Sequence, residues 1–427
     1  MHVTAVDLAD LAGRLTEIEI TWDAEPARCE VPVTFNQGNH VRAQLTGSGA
    51  WLAGTVTLPD RHPDRSRIVE AVTRLLVEHD ALRARIRPCD TPRQDVYGPD
   101  QFAVRARTVG TVWHGFTTAL ITERCRAGEV PGLFFGILDD RLVCAFDHAH
   151  ADAFTIDLVL RRLYELYADP DTAARTTRSF AQRCVIEATG ASVSGGPHST
   201  DPTRLMQVWE DFFTITDATL PAFPLPLGSG AAPQRTVVVP LLSSPECHDA
   251  LGRSAFAHIL ATLATAVASV GGPRRLATLI PVHTRGARDS GWHDTAGWMV
   301  SNAPVVVDAG DPDSATRWLT HAAALTDLPL DQVLAHCRPS FVTEGIFMVS
   351  YLDYRKLGPA LPGAQHISAV TRTDTAQFWF NRSESGLDLR VRYPGRPEAD
   401  AVMADLLRVL TSELREPLRH SMCRTSA

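Results

Sequence analysis

The chain is nearly devoid of lysine and has no basic stripe. Lys356 is the only lysine among 427 residues, so almost no ε-amine is available for Schiff-base chemistry, and a lysine nucleophile is disfavoured. The formal net charge is -8 with a pI near 6.0, and the arginines are scattered along the chain. Because nucleic-acid binding usually needs clustered basic residues, we expect no binding to DNA or RNA.

Apolar runs of membrane-spanning length are also lacking. No stretch approaches the ~20 apolar residues that a spanning helix needs, and residues 1–7 lack the basic and apolar segments of a signal peptide. We therefore expect no membrane association and a cytoplasmic location.

The eight cysteines are widely spaced, without a CxxC pair or a Cys/His cluster at zinc-finger spacing, which predicts reduced thiols and no metal site.

The length and the hydrophobic pattern predict two lobes. At ~100–200 residues per domain, the chain is too long for one ordinary core. Strand-like runs and helical periodicity alternate in both halves. The runs are Trp51–Leu58, residues 68–77, Phe102–Val109 and Leu133–Phe146 in the first half, and Arg235–Leu242, Ala255–Val270 and Ala277–Val282 in the second. The Pro- and Gly-rich stretch Pro221–Gly230 suits a connection, so we predict related α/β lobes at residues 1–230 and 231–427.

One predicted turn places an imidazole and a carboxylate between a strand and a helix. The apolar run Leu142–Phe146 precedes His148 and Asp152, and apolar residues at three- and four-residue steps follow through Leu166. Histidine accepts a proton near neutral pH because its ordinary pKa is ~6.5. The pattern therefore makes this turn the chain's best candidate for chemistry.

Five segments follow one another in an informative order, namely Pro32–Gln37, Glu78–Ile86, Asp147–Ala153, Gly297–Asn302 and Thr326–Asp331. In that order they resemble the opening segment and the RHExLRTxF, HHxxxDG, IGxFVNT and QDYPFE motifs of condensation domains of nonribosomal peptide synthesis, in the superfamily that includes chloramphenicol acetyltransferase. The resemblance runs nearly end to end, and no adenylation, thioesterase or carrier segment is visible. We therefore expect a freestanding condensation domain.

The resemblance implies a fold and a division of labour. Two chloramphenicol acetyltransferase-like lobes of mixed α/β structure would form a V with a tunnel between them. His148, as the second histidine of the motif, would position the nucleophile and accept its proton. Asp152 would point away from the tunnel and pair with Arg285 of the other lobe, as a structural ion pair.

The resemblance also implies the substrates. The activity would be acyl transfer from a thioester to an amine, or less favourably an alcohol, in the biosynthesis of antibiotics and related natural products. No cofactor would be bound; the acyl group would arrive on the phosphopantetheine arm of a separate carrier protein or on coenzyme A. The acceptor would be a small molecule or a second carrier.

Two positions depart from HHxxxDG. Asp147 replaces the first histidine, and we expect it to serve the backbone of the turn, with the alternative that it raises the pKa of a nearby imidazole. Ala153 replaces the glycine and would be strained if the turn needs a positive φ. Asp147, Asp152 and Thr155 also match the DxxxxDxxS spacing of heterocyclization domains, with threonine for serine. Cyclization therefore remains an alternative.

Further residues are candidate substrate contacts. Trp298 and Asn302 are carried over from the IGxFVNT resemblance, Ser350 is expected to line the tunnel, and Asp147 and Thr155 complete the set. His150 is expected at the tunnel edge or exposed. A different alternative is a degenerate member that no longer catalyses and recruits tailoring enzymes to a carrier-bound peptide; retention of His148 favours catalysis over that interpretation.

Overall fold

A computed structural model describes residues 2–45, 49–189, 201–251, 254–340, 345–369 and 371–425. The chain divides into two compact units, each built on a seven-stranded sheet with helices packed against it. The prediction of an α/β protein with two such parts is confirmed. Within the described ranges, no helix is both long enough and apolar enough to cross a membrane.

Strands and helices are interspersed along the described part of the chain. The strands are β1 (His2–Ala5), β2 (Gly13–Trp22), β3 (Arg28–Pro32), β4 (Trp51–Thr57), β5 (Ala84–Ile86), β6 (Arg93–Val96), β7 (Phe102–Val112), β8 (Leu133–Leu138), β9 (Arg141–Asp147), β10 (Ala232–Ser243), β11 (Arg275–His283), β12 (Val300–Asp308), β13 (Met348–Asp353), β14 (Gln365–Ser368), β15 (Arg372–Thr373), β16 (Gln377–Arg382) and β17 (Gly386–Pro394). The helices are α1 (Phe35–Gln44), α2 (Arg65–Glu78), α3 (His114–Arg124), α4 (Ala153–Ala168), α5 (Phe180–Ala188), α6 (Pro202–Ile215), α7 (Ser244–Leu251), α8 (Ala255–Ser269), α9 (Pro312–Leu325), α10 (Leu330–Cys337) and α11 (Pro397–Thr425).

The first unit is not one continuous segment. It comprises Met1–Ser194, Arg285–Val300 and Pro359–Thr371, so Arg285, which we expected in a second lobe starting at residue 231, lies in this unit. Strand pairing explains why Pro359–Thr371 belongs to this unit: its sheet runs β1-β14-β4-β9-β8-β2-β7, and β14 pairs parallel with β1 and antiparallel with β4. Arg285 is held in the unit by its hydrogen bonds to Asp152. Hydrophobic periodicity cannot show which sheet a four-residue strand joins.

Helices cover both faces of this first sheet. On one face, α2 and α4 pack together and share a core with the sheet through Leu75, Phe146 and Leu160. On the other face, Ile121 of α3 packs against Phe134 and neighbouring strand residues. Gly54 of β4 lies where α4 crosses: a Cβ built there would lie 2.6 Å from Ile156 Cγ2 and 2.8 Å from Leu160 Cδ1. The missing side chain therefore lets α4, which follows the His148 turn, pack close to the sheet.

The stretch Leu133–Phe146, predicted as one β segment, is a hairpin. β8 and β9 pair antiparallel, with Leu138 opposite Arg141, and the turn between them contains Asp139 at φ 56°. Aspartate tolerates this left-handed conformation better than most residues, so the turn chemistry is visible in the sequence. The hairpin matters for the site because β9 ends at Asp147.

The second unit comprises Gly195–Thr284, Ser301–Gly358 and Arg372–Ala427. Its sheet runs β12-β11-β13-β16-β17-β10-β15, and α8 packs between α9 and α11. The apolar side chains of α8 are buried nearly all round the helix, including Ile259, Leu260 and Val267, as expected for a central helix. The sheet core includes Phe378, Phe380 and Leu389.

Candidate active site

Backbone hydrogen bonds hold the turn that follows β9. Asp147 N donates to Gly132 O at 2.8 Å, His148 N donates to Ala50 O at 3.0 Å, and His150 N donates back to Asp147 O at 2.9 Å. Helix α4 then begins at Ala153, with Asp152 as its N-cap, whose Oδ1 accepts from Thr155 N at 2.7 Å. The strand, turn and helix thus lie where the sequence predicts them.

His148 presents a half-buried imidazole stacked on tryptophan. Its ring lies 4.0 Å from the Trp298 ring, centroid to centroid, at an interplanar angle of 26°. Nδ1 is buried and has no hydrogen-bond partner within the described part of the chain. Burial, helped by the nearby His40, lowers the pKa of His148 from 6.5 to about 4, against the opposing effects of its own backbone and of Asp147. The ring is therefore neutral at neutral pH and keeps a lone pair for a proton.

Asp152 is held by Arg285 in a two-pronged, buried ion pair. Arg285 Nη1 donates to Oδ2 at 2.7 Å and Nη2 donates to Oδ1 at 3.1 Å, while Met299 N donates to Oδ2 at 3.1 Å. Burial alone would raise the pKa of Asp152, but Arg285 and the Thr155 amide outweigh it and keep the pKa below its ordinary value. The Asp152 carboxylate is thus ionised, and both of its oxygens accept hydrogen bonds from the protein itself.

Thr155 belongs to the same buried hydrogen-bond network as Asp152 and Arg285. Its hydroxyl donates to Gly297 O at 2.8 Å and accepts from Arg285 Nη2 at 2.9 Å and from Gly297 N at 3.1 Å. The side chain is fully buried, so the prediction that Thr155 contacts substrate does not fit. Because Gly297 directly precedes Trp298, the Thr155 hydroxyl instead helps to fix the segment that carries the stacked tryptophan.

Asp147 faces α1 rather than open space. It is fully buried, and its Oδ1 accepts from Ala149 N at 2.9 Å, which is the expected service to the turn. The same carboxylate also accepts from His40 Nε2, at 3.1 Å to Oδ1, and from Gln44 Nε2 at Oδ2. Burial would raise the pKa of Asp147, but His40 and the Ala149 amide hold it below its ordinary value. A direct substrate contact by Asp147 is therefore not supported.

The sequence reasoning missed α1 altogether. Asn36, His40 and Gln44 recur every fourth residue, so they share one face of the helix, and that spacing is the signal that could have revealed them. Asn36 Nδ2 donates to Val300 O at 2.6 Å, and His40 lies 5.8 Å from the His148 ring and 5.9 Å from the Trp298 ring, centroid to centroid. Two imidazoles therefore border Trp298.

His150 is a structural residue, and the expectation that it is exposed is wrong. It is 1% exposed, its Nδ1 lies 3.1 Å from Ala81 O, and its Nε2 accepts from Gly132 N at 3.4 Å. Because a carbonyl can only accept, Nδ1 is the donor and the ring is the neutral tautomer. Burial lowers the pKa of His150, which agrees with that assignment.

The remaining predicted residues are placed as follows. Ala153 is the first residue of α4 and has no positive φ, so the alanine brings no backbone strain. Asn302 on β12 and Ser350 on β13 lie in the second unit and are half-buried. Within the described ranges, no group of three His, Cys, Asp or Glu side chains is arranged to hold a metal ion.

Solved structures share this fold, although no protein-family model and no curated protein matches the sequence. "PapA2 acyl transferase" gives a TM-score of 0.82 at 17% identity, over 98% of this chain and 99% of that chain. The epimerization domain from the third module of tyrocidine synthetase B gives 0.62 at 13% identity, over 94% and 100%. The X-domain in complex with OxyB from teicoplanin biosynthesis gives 0.61 at 16% identity, over 92% and 94%. The chain therefore has the fold that these structures share, and the predicted mixed α/β fold is confirmed.

Proposed function

We propose that the protein is an acyltransferase that joins a thioester-bound acyl or aminoacyl group to an amine, or alternatively to an alcohol. The observation that carries the proposal is the environment of His148: a neutral, half-buried imidazole stacked on Trp298. A neutral ring held in one orientation has a lone pair that can take up a proton, which suits general-base catalysis.

In the proposed step, His148 takes the proton from the nucleophile as its nitrogen or oxygen attacks the thioester carbonyl. The tetrahedral intermediate then collapses: the carbon–sulfur bond breaks, and the thiolate leaves with the proton that His148 carries. The amide or ester and a free thiol are the products, so no covalent enzyme intermediate is required. General bases of this kind usually contribute ~100- to 10,000-fold.

Asp152 and Arg285 support this chemistry without taking part in it. Their ion pair caps α4 and ties the His148 turn to the Arg285–Val300 segment, which also carries Trp298. The catalytic ring and the ring on which it stacks are thereby fixed by one buried network. Such preorganisation keeps the base within the narrow geometry that proton transfer needs.

The acyl group would be delivered as a thioester on a carrier protein's phosphopantetheine arm or on coenzyme A. The fold supports the class of substrate, because proteins with this fold include one named as an acyl transferase and one named as a synthetase module domain. Nothing in this scheme needs a resident cofactor. The products would belong to nonribosomal peptide or related natural-product biosynthesis.

Intact-mass spectrometry tests the proposal. The protein is incubated with acyl- and aminoacyl-loaded carrier proteins, or with acyl-coenzyme A, together with a panel of amines and alcohols, and the spectra are searched for transfer. We expect transfer by the wild type and a loss of ~100-fold or more in His148→Ala, with His62→Asn, an exposed histidine, as the matched control. Undiminished turnover by folded His148→Ala would overturn the role of that residue.

The same spectra discriminate the two alternatives. A cyclized product would be lighter by a further molecule of water, as the spacing of Asp147, Asp152 and Thr155 would suggest. A recruiting platform would bind a tailoring enzyme and transfer nothing; the X-domain with OxyB shows that this fold occurs in a complex with another protein. Binding without transfer, across the whole panel, would replace catalysis by recruitment as the function.

A further inference from the structure

The His40–Asp147 pair is a second histidine–carboxylate arrangement beside His148. His40 is on α1 and Asp147 at the end of β9, 107 residues apart in sequence, yet Nε2 of His40 lies 3.1 Å from Oδ1 and 3.3 Å from Oδ2 of Asp147. The exposed fraction is 8% for the His40 side chain and 0% for that of Asp147. Asp147 stands in the sequence where the family motif has its first histidine, and the imidazole that contacts it comes from α1.

The hydrogen bonds fix the tautomer of His40. Asp147 is ionised and can only accept, so Nε2 of His40 carries a hydrogen. The Gln44 amide nitrogen, 3.0 Å from the same Nε2, cannot donate to it and donates to Asp147 Oδ2 instead. Gln44 is itself oriented by Ala127 N, which donates to its Oε1 at 3.2 Å. In the neutral ring, Nδ1 of His40 therefore carries no hydrogen.

His40 is close enough to act on His148 electrically. The two ring centroids are 5.8 Å apart, inside a partly buried site where charges are screened less than in water. A positive His40 disfavours protonation of His148, whereas the negative Asp147 favours it. The titratable groups around the pair are His148 and His150 in the turn, Asp152 at the start of α4, and the buried Cys125 after α3.

We propose that His40 is a positioning residue for the reaction: held by Asp147, it borders both Trp298 and His148, and its imidazole influences how readily His148 accepts the nucleophile's proton. The inference rests on the proposed role of His148 as the base. It also accounts for Asp147: the carboxylate that departs from the family motif is the group that holds the additional imidazole.

The test uses two variants that should shift the pKa of His148 in opposite directions. His40→Asn removes the imidazole whose protonated form disfavours protonation of His148, so the pKa of His148 should rise; Asp147→Asn removes the favourable negative charge, so the pKa of His148 should fall. The titration of His148 is followed by NMR of histidine-labelled protein, with the His148 signal identified by its absence in His148→Ala. His62→Asn serves as the surface control.

Opposite shifts support the proposal, and the acid limb of the kcat/KM profile should move with them. Equal shifts, or none, in the folded variants would overturn it, because a merely structural pair would not produce opposite signs. If one single variant fails to fold, the double variant His40→Asn/Asp147→Asn is compared with the other: the pKa of His148 should be lower in the double variant than in His40→Asn, and higher than in Asp147→Asn. The NMR readout needs no turnover, so opposite shifts in a protein without acyl transfer would refute the proposed function and leave the coupling intact.

Discussion

Arg285 donates a hydrogen bond to each carboxylate oxygen of Asp152, from Nη1 to Oδ2 at 2.7 Å and from Nη2 to Oδ1 at 3.1 Å. The Arg285 side chain is fully buried and that of Asp152 is 5% exposed, so water hardly reaches either charge and each is stabilised by the other. The pair joins the cap of α4 to the segment that carries Trp298. Its contribution is consequently to the geometry of the His148 turn, and its loss should affect the fold as well as the activity.

Removing one partner of this pair should destabilise the protein strongly. Asp152→Asn or Arg285→Ala leaves one buried charge without its counter-charge, and we expect each to lower the free energy of unfolding by ~3 to 5 kcal/mol, measured by urea denaturation. Arg285→Lys keeps the charge but not the two-pronged geometry, so it should recover only part of the loss. Wild-type stability in Arg285→Ala would contradict the structural role of the pair.

Trp298 should control both the orientation and the proton affinity of His148. In Trp298→Ala, water reaches the imidazole, so the pKa of His148 should rise from about 4 toward 6.5, and the rate of acyl transfer should fall by ~10-fold or more. Trp298→Phe keeps an aromatic face and is the matched control. NMR titration of His148 and steady-state kinetics check the two effects; an unchanged pKa in Trp298→Ala would show that the stacked indole does not shield the ring.

Much of this site is local, and the local part was predictable. An apolar run, a short polar turn and a helical period specify where His148 and Asp152 lie, because each signal spans only a few residues. Arg285 came from the resemblance to a family, since nothing in the spacing of residues 133 positions apart identifies a partner. His40 was missed because its partner Asp147 is 107 residues away.

The division of the chain was harder to predict for a related reason. Residues 285–300 lie between two strands of the second unit but make their buried contacts in the first, where Ala296 N donates to His79 Nδ1 at 3.4 Å and Gly297 bonds Thr155. A composition shift marks a linker, as at Pro221–Gly230. No such shift marks a segment that folds back onto another unit, as residues 285–300 do. Only the tertiary contacts distinguish the two.

Mild acid should destabilise the protein through its buried neutral histidines. Burial lowers the pKa of His79 and of His148 to about 4, so both bind a proton more readily in the unfolded chain, where the pKa is ~6.5. Their contribution to stability is complete above pH 6.5 and is lost as the pH falls toward 4. We expect a loss on the order of 1 to 3 kcal/mol for each residue, measured by urea denaturation across that range.

A variant of His79 isolates this effect. His79→Gln retains an oxygen that can accept from Ala296 N but cannot titrate, so the dependence of stability on pH between 6.5 and 4 should be shallower than in the wild type. His62→Asn, at an exposed site, should leave the slope unchanged. Equal slopes in the His79 variant and the wild type would mean that His79 is not buried in the neutral form.

Gly54 should be intolerant of even one methyl group, because β4 and α4 leave no room for it. In Gly54→Ala, the new Cβ would meet Ile156 Cγ2 at 2.6 Å and Leu160 Cδ1 at 2.8 Å, so α4 must shift or repack at a cost of ~1 to 3 kcal/mol. Since α4 starts at the turn that carries His148, the shift should reduce acyl transfer as well as Tm. Gly128→Ala, where a Cβ meets nothing within 4 Å, is the control, and trimming Ile156 to alanine in the Gly54→Ala background should restore part of the activity. Full stability of Gly54→Ala would show that α4 does not pack this close to the sheet in solution.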